Sequence, residues 1–257
     1  MELLAVRNAR VIAYLNAEEL NPKGLPIAHD FMNAFVERYA FVKRPTTADE
    51  ILDTANKGII FETGKLGNIG ITKVILFDWG VVVETNASTE SSEIVLRDML
   101  TWGNETFGLS NRPDLITRTN YVSELVLKSD LRLPAINPTI NAIGEKIIGP
   151  KVAEYIGSSA PFEISGISLT FDSTQTKQLF TPFQIYRLPD TPFSQNKYYS
   201  GGPLKTADHI KVIEELEGLL TVQPQGQAVE ELQLKSAKDG VPGYEDIDGR
   251  NLKPPKS

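Results

Sequence analysis

The chain has 257 residues, 26 Lys and Arg against 33 Asp and Glu, and a formal net charge of −7. That acidic balance, without any basic run, argues against a nucleic-acid partner, which would need clustered Lys and Arg. The absence of cysteine excludes disulfides, cysteine zinc sites, iron–sulfur clusters and thiol nucleophiles.

The opening "MELLAVRNARVIAYL" places Arg7 and Arg10 inside its apolar stretch, unlike a secretory leader. No run approaches the roughly 18 apolar residues of a membrane span. The expectation is a soluble cytoplasmic protein with no membrane contact and no cofactor.

Leu3–Leu15 is rich in Val, Ile and Leu and reads as a strand. "NPKGLP" (Asn21–Pro26) is a loop, and Ile27–Tyr39 carries apolar residues at helical spacing. "YAFVKRP" reads as a short strand ended by Pro45. "TTADEILDTANKG" reads as a helix, with Thr47 and Glu50 spaced as a capping box and Gly58 after its end. "GIIFETG" is the next strand. Val74–Phe77 and Val81–Glu84 flank Asp78-Trp79-Gly80, the pattern of a tight hairpin, with Gly80 expected at positive φ.

The clearest helix follows. Ser88 or Thr89 can cap it, and Val95, Leu96, Met99, Leu100, Gly103 and Phe107 form one face. Gly108 stops it. Tyr121–Asp130 is a strand, and Asn137–Gly157 a helix kinked or broken at Pro150. "FEISGISLTFDS" alternates like a strand with a bulge at Ser165-Gly166. "PFQIYRLPD" is a further strand, and Thr206–Leu220 is the last helix.

Strands come in neighbouring pairs with helices interspersed. The fold class is therefore α+β, a mostly antiparallel sheet with four to five helices packed on it. Residues 1–220 read as a single domain. Residues 221–257, polar with Gly and Pro, read as an extended C-terminal tail.

Three places invite a functional reading. "VILFDWGVVVE" is similar to the first motif of haloacid dehalogenase-like phosphatases, where an apolar strand delivers a nucleophilic aspartate. The resemblance covers eleven residues and implies Asp78 as nucleophile. Gly80 stands where that family places its acid/base carboxylate. The turn chemistry of Asp and Gly accounts for the same residues without catalysis.

"YYSGGPLKTADH" (Tyr198–His209) reads as a Gly-rich loop before a helix, where an anion could bind through Ser200, Gly201, Gly202, Lys205 and Thr206. "LKT" is similar to the end of a Walker A loop, but Tyr199 and Leu204 occupy both glycine positions. Tyr198 and Tyr199 read as wedged against the core or a partner. The two histidines, His29 and His209, do not form a local metal motif, and no metal site is expected.

In the tail, Tyr244, Ile247 and Leu252 are spaced apolar anchors for a protein contact. Together these features favour a non-catalytic structural or adaptor protein, self-associating or held in a larger complex through its tail. The alternative is a phosphatase-like hydrolase built on dispersed carboxylates around Asp78.

Overall fold

The computed structural model describes residues 1–21, 28–47, 50–51, 53–159, 162–172, 174 and 181–221. The architecture is mixed α+β and dominated by one sheet. Its strands are β1 (Glu2–Tyr14), β2 (Ile59–Leu66), β3 (Ile69–Phe77), β4 (Gly80–Thr85), β5 (Arg118–Lys128), β6 (Gly166–Leu169), β7 (Phe183–Arg187) and β8 (Lys197–Gly202). They lie in the order β2-β3-β4-β1-β5-β8-β7-β6, and each pair is antiparallel.

The helices are α1 (Ala17–Leu20), α2 (Ala28–Tyr39), α3 (Thr89–Phe107), α4 (Leu133–Ile136), α5 (Pro138–Ile143), α6 (Gly149–Ile156) and α7 (Thr206–Thr221). The three long ones cover one face of the sheet. α2 and α3 lie over β1–β4, and α7 over β5.

Local chemistry explains the best-formed elements. Ser88 accepts a hydrogen bond from the Ser91 amide at the start of α3, and Gly108 ends it at φ 67°, a left-handed conformation that suits glycine. The capping box closes as the spacing requires: the Glu50 carboxylate accepts from the Thr47 amide at 3.1 Å, and Thr47 Oγ1 accepts from the Glu50 amide at 3.4 Å. β1 alternates, with Ala9, Val11 and Ala13 fully buried beneath α3.

The core has two parts. The larger packs Val11, Val83, Phe35, Phe61, Val95 and Trp102 between α2, α3 and β1–β4. The smaller packs Leu125, Leu127, Ile185, Tyr198 and Ile213 under α7.

Several expectations are corrected. Gly80 is not at positive φ. A Cβ there would stand 2.3 Å from the Ala13 carbonyl oxygen, so close backbone approach is what requires glycine. "YAFVKRP" forms only an isolated bridge, Lys43 with Glu62. Of the strand expected over Phe162–Ser173, the described residues form only Gly166–Leu169, and Ser165 sits outside it, its carbonyl accepting the Arg187 amide at 2.8 Å. Tyr198–Gly202 is not a loop but most of β8, paired on both sides by β5 and β7. Pro150 does not break its helix. α5 runs into α6 through a π-turn, Gly144–Ile148, in which the Gly149 amide donates to the Gly144 carbonyl.

Candidate functional site

Asp78 occupies the two-residue turn between β3 and β4 and is exposed. Beside it Trp79 stacks on Phe77 at 4.4 Å and on Tyr14 at 5.3 Å, which pins the turn. Among the described residues no group of three His, Asp or Glu could hold a metal ion.

Behind the hairpin, between α2 and α3, lies an apolar cavity of about 290 Å³ lined by Leu15, Phe31, Phe35, Leu76, Val81 and Met99 among others. Among the described residues no acid, base or nucleophile lines it.

The candidate anion residues are brought together, but their polar groups are already engaged. α3 and α7 begin side by side. The Thr89 amide donates to Thr206 Oγ1 at 2.9 Å, and the Thr206 amide donates to Thr89 Oγ1 at 2.8 Å. Each helix start thus satisfies an orphan amide of the other.

Lys205 donates to Glu93 at 2.9 Å, and Tyr121 donates to the same oxygen at 2.6 Å. Burial acts to raise the Glu93 carboxyl, but these two hydrogen bonds outweigh it and hold it below the usual carboxylate range.

Ser200 is fully buried and donates to the Gln184 carbonyl at 2.9 Å. Its one hydroxyl proton is thereby used, so it accepts from His209 Nε2 at 2.8 Å, and His209 Nδ1 accepts from Ser123. Burial lowers His209 to about 4, opposed only in part by a backbone hydrogen bond at Ser123, so the imidazole is neutral at pH 7. This Ser–His–Ser group has no access to solvent and serves the fold rather than a substrate.

Gly201 faces the other side of the sheet, next to Tyr199. Tyr199 stacks with Tyr186 at 4.9 Å there, whereas Tyr198 is buried and donates to the Leu131 carbonyl at 2.8 Å. His29 lies in α2 with its side chain outside the described atoms. The tail anchors Tyr244, Ile247 and Leu252 lie outside the described residues.

A polar cleft is lined by Asp130, Arg132, Arg187 and Asn196. Arg187 is committed to Glu163 at 3.0 Å and to the Phe193 carbonyl at 3.0 Å, and its Nε has no hydrogen-bond partner among the described residues. The Asp130 carboxylate opposite works against an anion in this cleft.

The sequence announces a helix over 137–157, but not that it runs unbroken through Pro150 from 138 to 156. Asn137 caps it, accepting from the Ile140 amide at 3.0 Å, and Pro138 opens it. Its buried positions are Asn141, Gly144 and Gly149. Asn141 accepts from the Ile164 amide at 3.1 Å, and a Cβ on Gly144 would stand 2.7 Å from the Phe162 carbonyl oxygen. The helix therefore lies directly on the backbone of the segment after it, and its isoleucines point outward. Ile140 is 56% exposed, Ile147 59% and Tyr155 79%. A surface helix ordinarily does the reverse, burying its apolar stripe.

No protein-family model matches the chain, and no curated protein is significantly similar to it. No described helix is long and apolar enough to cross a membrane.

Proposed function

We propose that the chain is a non-catalytic structural or adaptor component that works through protein–protein contacts and associates with itself. The supporting observation is the inverted helix 138–156, with Asn and Gly inside and Ile outside. Its exposed apolar residues, Ile140, Ile143, Ile147, Ile148, Tyr155 and Ile156, together present roughly 700 Å², above the roughly 300–600 Å² of the largest patch on a typical monomer. The engaged polar groups around Thr206 and His209, and the exposed turn at Asp78, give no competing support for a reaction. On this reading residues 1–220 form the folded unit, and the tail is a further contact segment.

Sedimentation velocity on the full chain and on an Ile143→Glu/Ile147→Glu variant tests this. The full chain associates as its concentration rises into the tens of micromolar, the range ordinary for a modest protein interface. The variant stays monomeric with an unchanged circular dichroism spectrum. Monomers in both samples at every concentration would refute the reading.

A further inference from the structure

Resting on that reading, we infer that the occupant of the isoleucine face is the same face of a second copy, docked antiparallel about a two-fold axis between residues 147 and 148. The π-turn supplies the first reason. An α-helical stripe through Ile140, Ile143 and Ile147 would rotate away after position 147 if the helix stayed regular. The π-turn Gly144–Ile148 inserts one residue, and the exposed stripe resumes one position later at Ile148 and Tyr155, with the half-buried Val152 at its edge. The exposed set becomes 140, 143, 147, then 148, 155 and 156. About the midpoint between 147 and 148 its central and outer members match, 140 with 155 and 147 with 148, while 143 falls opposite the half-buried Val152. An isologous interface requires that self-complementarity.

Charge and area point the same way. Glu145, Lys146, Lys151 and Glu154 on this helix sum to zero. In the antiparallel register Glu145 of one copy falls within about one residue of the partner's Lys151, and the reverse holds by symmetry. A neutral rim has no attraction for an anionic lipid surface, which wants clustered Lys and Arg. The apolar stripe with Ile156 exposes roughly 700 Å² per copy, close to the ~800 Å² each partner contributes to a standard stable interface. The buried side of the helix consists of Asn141, Gly144 and Gly149, so little of its own stabilisation comes from the domain beneath, and covering the outer face supplies it.

The cysteine-free chain allows a geometric test. Single variants Ile147→Cys, Ile148→Cys, Ile140→Cys and Tyr155→Cys all change exposed positions, so each folds as the parent does, checked by circular dichroism. A disulfide forms only when the two Cα atoms come within about 4.4–6.8 Å. Under mild catalysed oxidation, Ile147→Cys and Ile148→Cys each yield covalent dimers. Ile140→Cys and Tyr155→Cys alone do not, but mixed together they cross-link at least tenfold faster than either alone.

Self-cross-linking of Ile140→Cys as fast as Ile147→Cys would overturn the antiparallel geometry. Association by sedimentation with no cross-link at any of these positions would move the contact elsewhere, ending this inference while leaving the self-association reading intact. Flotation of the wild-type chain as a monomer with phosphatidylcholine vesicles would assign the face to lipid and overturn the inference.

Discussion

His209 makes acid stability a sharp test of the buried polar seam between the two cores. Its side chain is fully buried, and burial takes it from the ordinary 6.5 to about 4. At ~1.36 kcal/mol per tenfold change in affinity for the proton, that difference corresponds to about 3 kcal/mol. The unfolded chain binds the proton first, because its histidine titrates near 6.5. The stabilising effect of keeping His209 neutral is therefore complete above pH 6.5. It is lost progressively as pH falls from about 6.5 to about 4. At pH 5 the linkage removes about 2 kcal/mol of stability. The assay is urea denaturation of wild type and His209→Gln at pH 7.5, 6, 5 and 4.5. The variant starts less stable, since it disturbs the Ser123–His209–Ser200 bonds, but it lacks this proton uptake. Between pH 7.5 and 5 the wild type loses about 2 kcal/mol more than the variant. Equal losses would refute the claim that the imidazole is buried neutral.

The reciprocal caps predict that Thr206→Val, which leaves the buried Thr89 amide without an acceptor, costs about 1–2 kcal/mol, whereas Thr206→Ser costs a few tenths; thermal denaturation separates them. Gly80→Ala drives a methyl against the Ala13 carbonyl and destabilises by about 1–3 kcal/mol. The adjacent Asp78→Ala, in the exposed turn, changes stability by about 0.5 kcal/mol or less, and neither it nor the wild type hydrolyses a panel of phosphate esters. A chain ending at Leu220 still associates if the isoleucine face carries the contact. Its loss of association in light scattering would move the contact to the segment holding Tyr244, Ile247 and Leu252.

Elements whose signals are local were legible. α3 has its cap at Ser88, its apolar face and its stop at Gly108 all within twenty-one residues, and the β3–β4 hairpin is announced by two Val/Ile-rich runs around a two-residue turn. β8 was not legible because Ser200-Gly201-Gly202 carries no strand preference of its own. It is a strand because β5 and β7 bond it on both sides, and glycine fits where a Cβ on Gly202 would lie 3.0 Å from Phe183. The burial of His209 depends on Ser123, 86 residues away, which no local pattern announces. The isoleucine face stayed hidden for a different reason: the π-turn shifts the apolar phase by one residue, so a regular 3.6-residue projection scatters Ile148 and Tyr155 away from Ile140, Ile143 and Ile147. Pro150 reads as a break on sequence rules, because its ring would clash with the carbonyl four residues back. The wider π-turn relieves that clash.

Amide hydrogen exchange across residues 140–156, measured at low and high protein concentration, tests most directly whether the outward face is covered by another chain. In the isolated monomer this helix rests on two glycines and an asparagine, so its amides exchange by facile local opening. The account predicts that their exchange slows at least tenfold as the concentration rises from about 1 to 100 µM, while α3 is unchanged, and that Ile147→Glu abolishes the slowing. Concentration-independent exchange in the wild type would contradict it.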